Sequence, residues 1–185
     1  MDNLINILTI DPGNNIGVSI ITVDVRDFSI VNIETRLYVL ENLIPVLDDN
    51  FNKLLYKLSV IQDIVTDLYV AYNPIALGVE TSFLNTRFPK AVLQLSQYVA
   101  VIEHTMYTLN TRIKMFRYMP RYIKRILGAG GSADKDDMMV TMSAIDELTN
   151  HINPYILSEH EVDAIAIGYT VLMEIREFPY ILYTL

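Results

Sequence analysis

The stretch from Ile7 to Gly17, read as ILTIDPGNNIG, constrains this chain more than any other. Ile7, Leu8, Thr9 and Ile10 run straight into Asp11, and Pro12, Gly13, Asn14 and Asn15 then break the run. An apolar, β-prone run bounded by turn residues predicts a buried strand entering a tight turn. Asp11 then stands at the last buried position of a central strand. A carboxylate there is costly unless it is paired or binds a cation. The plainer alternative is that Asp11 begins an Asx-type turn into Pro-Gly. What shifts the balance is that further acid and imidazole groups fall at similar element ends along the chain.

The length of 185 residues predicts one domain over 1–185 with room for a full core. A hydrophobic content of 51% and a mean hydropathy of +0.28 fit a globular protein and exclude disorder. No apolar run is long enough to span a membrane, the most apolar segment, Val162 to Met173, being interrupted by Asp163. No basic leader with a cleavage site precedes the first strand, so no signal peptide is expected. The absence of cysteine excludes disulfide scaffolds, Cys-type zinc sites and thiol catalysis, and fits a cytoplasmic protein.

The net charge of −8 argues at first against nucleic acid, but its distribution does not. Residues 87–135 hold nine Lys and Arg against Glu103 and Asp134, a balance of +7 set against −15 for the remainder. Six of those basic residues lie between Arg112 and Arg125 with no acid among them. Such a run is either a solvated face or a polyanion-binding one.

In chain order, residues 4–40 predict three strands turning near Asn14-Asn15 and Arg26-Asp27, and their short connections make them antiparallel neighbours. Pro45 is expected to open a helix to about Tyr72, with Leu54, Leu55, Leu58, Ile61, Val65 and Leu68 on one face. Ile75 to Glu80 reads as a strand buried on both faces and ending in an acid, as the first one does. Lys90 to Asn110 predicts a helix apolar nearly all round, hence central to the core or half of an oligomer interface. Arg112 to Tyr118 predicts a strand, and Pro120 to Gly128 a short helix. One helix is expected from Asp134 to Leu148 and a last one from Glu159 to Glu177. The pattern β-β-β-α-β-α-β-α-α-α predicts an α/β fold, a mixed sheet with helices on its faces.

In the last helix His160 and Asp163, three residues apart, share a face in the first turn. Each alone reads more simply as a helix-start residue. With Asp11 and Glu80 they make two strand ends and one helix start that can converge when the first and fourth strands are neighbours. Clustered carboxylates repel and call for positive charge, and hard divalent cations prefer such oxygen ligands. His160 would be a nitrogen ligand or a base that positions water. Two cations about 3.5–4 Å apart would clamp the attacking and leaving oxygens of a phosphodiester displacement.

On these residues the chain resembles the RuvC-type Holliday junction resolvases, a branch of the RNase H-like nucleases found in bacteria, phages and poxviruses. The resemblance rests on Asp11-Pro12-Gly13 with Gly17, and on Glu80 with Phe83. It rests further on the run Gly130 to Lys135, and on His160 to Ile167 with its Asp-Ala-x-Ala core. It implies an RNase H-like five-stranded mixed sheet, three antiparallel strands followed by parallel ones. It implies a homodimer that binds a four-way DNA junction and nicks two strands symmetrically, acting in the cytoplasm of a bacterial cell or phage-infected host, with no membrane partner. Asp11, Glu80, His160 and Asp163 become the catalytic and metal group, for two Mg²⁺ per site with Mn²⁺ as an alternative. Phe83 would stack on a base at the opened crossover. Arg87, Arg117, Arg121, Lys124, Arg125 and Lys135 would face DNA. Asp136 and Asp137, directly after Lys135, are where the family usually places uncharged or amide residues.

Two other readings compete: a dimeric junction-binding protein without turnover, and a related nuclease acting on RNA or RNA–DNA hybrid. An actin-type ATPase shares the Asp-x-Gly turn but needs two such domains and a second phosphate loop.

Overall fold

The computed structural model describes residues 3–46, 49–81, 89–131 and 133–182. Five strands form one sheet: β1 (Leu4–Asp11), β2 (Asn15–Asp24), β3 (Ile30–Val39), β4 (Ala76–Glu80) and β5 (Lys114–Tyr118). Their order is β3-β2-β1-β4-β5. The first three are antiparallel, and β1, β4 and β5 run parallel. This is the mixed sheet expected from the sequence, with the ILTID strand at its centre.

The helices are α1 (Leu40–Leu43), α2 (Asn50–Tyr72), α3 (Pro89–Leu109), α4 (Pro120–Leu127), α5 (Lys135–Ser143), α6 (Asp146–Thr149) and α7 (Glu159–Glu177). Side chains alternate across a strand. Leu8, Ile10, Val18, Ile20, Leu77 and Val79 therefore pack on one side with Ile61, Val65 and Leu68 of α2 and Tyr98, Ile102 and Met106 of α3. Ile7, Ile21, Val23, Ala76 and Phe116 pack on the other with α4, α5 and α7, whose Ile165, Ile167, Val171 and Leu172 are fully buried. No helix among the described residues is long and apolar enough to cross a membrane.

Two helices depart from the sequence reading. The first long helix, α2, starts at Asn50, not Pro45. Ile44, restricted by the proline after it, is extended at φ −111° and ψ 150°, and Asp49 caps the helix by accepting from the Phe51 N–H. The helix expected over 134–148 is two, because Ile145 is extended (φ −92°, ψ 97°) and redirects the chain so that Leu148 enters the core. The acid run at its start is a capping box: Asp134 Oδ1 accepts from the Asp137 N–H and Asp137 Oδ2 from the Asp134 N–H, each at 3.0 Å.

Candidate active site

Strand parity and register place the first two acids. Asp11 lies on the same face of β1 as Ile7 and Thr9, and Glu80 on the same face of β4 as Ala76 and Gly78. The parallel register pairs Ile10 with Val79, so Asp11 and Glu80 stand one step further, side by side at the carboxyl ends of adjacent strands. That face is covered by α7. Its first turn is brought onto the sheet by three devices. Gly17 on β2 lies so close that a Cβ there would sit 1.9 Å from the His160 carbonyl oxygen. Thr9 Oγ1 donates to the Ala164 carbonyl at 2.7 Å, and Thr35 Oγ1 to Glu161 Oε1 at 2.8 Å. Ser158 and Glu161 close a capping box at the helix start.

The result is contact between the ends of the chain. His160 Nδ1 and Asp11 Oδ2 share a hydrogen bond of 2.8 Å, which sets Nδ1 as the protonated nitrogen when Asp11 is ionised. His160 Nε2 lies 3.7 Å from Glu159 Oε1. Burial pushes Asp11 up to about 6, opposed by the His160 hydrogen bond and assisted by the Asp163 carboxylate. Burial likewise pushes Glu80 up to about 8, with the charges of Asp11 and Asp163 adding and that of Lys124 opposing. Asp11, Glu80 and Asp163 thus act on one another electrostatically at a single end of the sheet.

This donor set fits a hard divalent cation by its chemistry: partly buried carboxyl oxygens, with Asp11 and Glu80 both disfavoured as anions by burial and by neighbouring negative charge. Among the described residues no three His, Asp or Glu groups close tightly enough to grip an ion as they stand. Glu159, overlooked in the sequence, adds a further carboxylate that raises Asp11. Its signal was its place beside His160 in a helix first turn. It also lines, with Asp163, Met138, Val140 and Tyr155, a cleft of about 520 Å³ next to the carboxyl group.

The residues assigned to DNA are spread more widely. Lys124 Nζ donates to the Ala133 carbonyl at 2.7 Å and its charge reaches Glu80, so it stands at the site. Arg121 and Arg125 are exposed on α4, the Arg125 guanidinium carbon 5.2 Å from the Tyr122 ring centroid. Arg117 does not join them. It projects from the other face of β5, where both its Nε and Nη2 donate to Glu103 on α3. Phe83 and Arg87 lie outside the described residues, as does the side chain of Lys135. Lys57, which the apolar pattern of α2 passed over, is only 4% exposed.

The profile of the family described as Crossover junction endodeoxyribonuclease RuvC matches residues 7–171. A RuvC of that description from Prosthecochloris aestuarii is 27% identical over 150 residues, covering 80% of this chain and 73% of that protein. Thermus thermophilus RuvC superimposes with a TM-score of 0.71 at 18% identity, over 94% of this chain and 96% of that one. The same protein in complex with Holliday junction substrate gives 0.67 at 16%, over 94% and 97%. Ydc2, the yeast mitochondrial Holliday junction resolvase, gives 0.62 at 12%, over 97% and 83%. These neighbours share the RNase H-like fold, and the profile match runs from β1 through most of α7. The chain belongs to the crossover junction endodeoxyribonuclease RuvC family.

Proposed function

We propose that this junction-resolving endonuclease cuts at the sheet end where Asp11, Glu80 and Asp163 face one another, as a homodimer nicking two strands of a four-way DNA junction symmetrically. The observation that carries the reading is the convergence of β1, β4 and the start of α7, with Asp11 bonded to His160 across 149 positions of sequence. The carboxyls of Asp11, Glu80 and Asp163 would hold Mg²⁺, with Mn²⁺ as a substitute and two ions per site. Bound there, the metal supplies Lewis-acid stabilisation of the phosphodiester and an ionised water. The chain's own groups do the rest. His160 holds Asp11 through Nδ1, which fixes the orientation of that carboxylate and leaves Nε2 to carry a proton to or from water. Lys124, beside Glu80, offers charge to a backbone phosphate, and Arg121 and Arg125 extend that charge along α4. Phe83 keeps its proposed role at the opened crossover and Arg87 and Lys135 theirs in facing DNA, while Arg117, paired with Glu103, is dropped from the group nearest the cut.

For the dimer, α3 offers its outer side, where Leu93 is 62% and Tyr107 55% exposed while the inner side packs on α2. A cytoplasmic place of action, in a bacterial cell or phage-infected host, goes with this reading.

The test is cleavage of a synthetic four-way junction in Mg²⁺, with nicks mapped on all strands and duplex DNA and RNA–DNA hybrid as competitors. Symmetric paired nicks that survive excess duplex and hybrid are expected. Binding without cleavage would favour the non-cleaving junction binder, and preferential cutting of the hybrid would favour an RNA-directed nuclease.

A further inference from the structure

On the other side of the β1–β2 turn from the carboxyl group lies a second polar cleft, of about 510 Å³. Asn14, Glu41, Lys53, Lys57, Lys90 and Gln94 line it. Topology places it at the catalytic end of the sheet. The β1–β2 turn, the carboxyl end of β3 with α1, and the start of α3 after β4 all emerge at the end where Asp11 and Glu80 stand.

Its chemistry is that of an anion site. Lys57 Nζ, on a buried side chain, donates to Asn14 Oδ1 at 2.7 Å and to Glu41 Oε1 at 2.6 Å. Lys53 Nζ takes the other oxygen of the same carboxylate at 2.7 Å. One carboxylate is thus shared by two ammonium groups, whose hydrogen bonds pull Glu41 down to about 2 and keep it ionised. With Lys90 entering from α3, the lining carries three positive charges against one negative, in a chain whose net charge is −8. The remaining polar lining is amide, from Asn14, Asn50, Gln94 and Gln97. Ammonium and amide donors suit phosphate oxygens. A lysine inside an apolar helix face costs stability unless something holds it there. Lys57 is held by the turn that carries Asp11, whose Asn14 carbonyl also accepts from the Leu40 N–H at 2.9 Å.

We propose that this cleft is a second phosphate subsite, gripping the DNA backbone away from the cut bond through Lys53 and Lys90 while Lys57 and Asn14 tie that grip to the turn bearing Asp11. The inference rests on the junction-cutting reading above and deepens it. Of its charged residues only Lys90 falls within the basic segment 87–135, so charge counting along the sequence did not single the cleft out.

The experiment uses the full chain carrying Asp11→Asn, in Mg²⁺, with a four-way junction. Lysine acetylation is read by mass spectrometry with and without DNA, and binding is measured over a salt series. DNA is expected to shield Lys53 and Lys90 from acetylation. Lys53→Ala and Lys90→Ala should each weaken binding by about 3–10-fold and lower the slope of log K against log salt by roughly 0.9, the loss of one phosphate contact. Arg26→Ala removes one charge at the opposite end of the sheet, where Arg26 pairs with Asp24, and should leave that slope unchanged. Equal acetylation of Lys53 and Lys90 with and without DNA, together with slopes equal to that of Arg26→Ala, would overturn the subsite and leave the active-site reading standing. Should the unsubstituted chain neither bind nor nick the junction, both fall together.

Discussion

Gly17 leaves no space for a side chain, and that single fact brings the last helix to the first strand. A methyl group at this position would overlap the His160 carbonyl, so Gly17→Ala must push the start of α7 off β2. A loss of about 1–3 kcal/mol of stability is expected, read as a fall in Tm. Junction cleavage should fall further than stability alone accounts for, because His160 and Asp163 move away from Asp11. Glu80 makes a second prediction at this scale. The folded chain keeps a proton on Glu80 up to about 8, whereas the unfolded chain releases it near 4.5. The folded state therefore binds more protons across that window, and the metal-free protein should lose stability as pH rises through it. Thermal melts from pH 5 to pH 8 should show Tm falling, and Glu80→Gln should flatten the fall. A wild-type Tm that climbs over this range would contradict the buried, charge-crowded position of Glu80. The positions of Asp11 and Glu80 were legible because each ends an apolar strand, and those of His160 and Asp163 because three-residue spacing puts both on one face of a helix first turn. Lys57 was not. A lysine in an amphipathic helix normally marks the wet face, and only the fold shows that Asn14 and Glu41 wait for it inside.

At the level of elements, α7 is the part on which the site turns. Its bounds, Glu159 and Glu177, could be read from Ser158 before an acidic first turn and from Pro179 after the last. Ser158→Ala opens the capping box and should cost about 1 kcal/mol. Cleavage should fall modestly, since Thr9 and Thr35 still hold the helix to the sheet. An unchanged Tm would show that the cap adds nothing to those two bonds. Misread elements were those where local chemistry offered two answers. Pro45 could open a helix as well as Asp49 could cap one, and the extended Ile44 before it decided in favour of Asp49. Residues 134–148 are helical by pattern throughout, yet burial of Leu148 bends the chain at Ile145. The strand directions were legible because short connections force β1, β2 and β3 to be antiparallel neighbours, and helical crossovers then make β4 and β5 parallel.

For the molecule as a whole, the sheet divides the protein into a side packed against α4, α5 and α7, where the proposed cut lies, and a side where α2 and α3 pack together. The uniformly apolar pattern of α3 left open whether it was core or interface. The structure uses one side of it for the core and turns Leu93 and Tyr107 outward. Leu93→Asp should convert a dimer to a monomer in sedimentation at micromolar protein while leaving the stability of the fold within about 1 kcal/mol of the parent. A parent chain that sediments as a monomer would remove α3 as the dimer surface. Against the acidic net charge, six of the fourteen Lys and Arg gather in two places, Arg121, Lys124 and Arg125 on α4 and Lys53, Lys57 and Lys90 in the cleft between α2 and α3. What the sequence could not show was that Arg117 leaves the basic run for the opposite face, because strand parity there depends on where β5 begins. All of this converges on one site shared by three distant segments. Its most direct test is Mn²⁺ titration followed by electron paramagnetic resonance on the wild type, Asp11→Asn, Glu80→Gln and Asp163→Asn. Two bound ions are expected for the wild type, a clear loss of affinity in each variant, and junction cleavage lower by about a thousandfold or more. Unchanged Mn²⁺ binding in all three variants would show that these carboxyls do not share a cation.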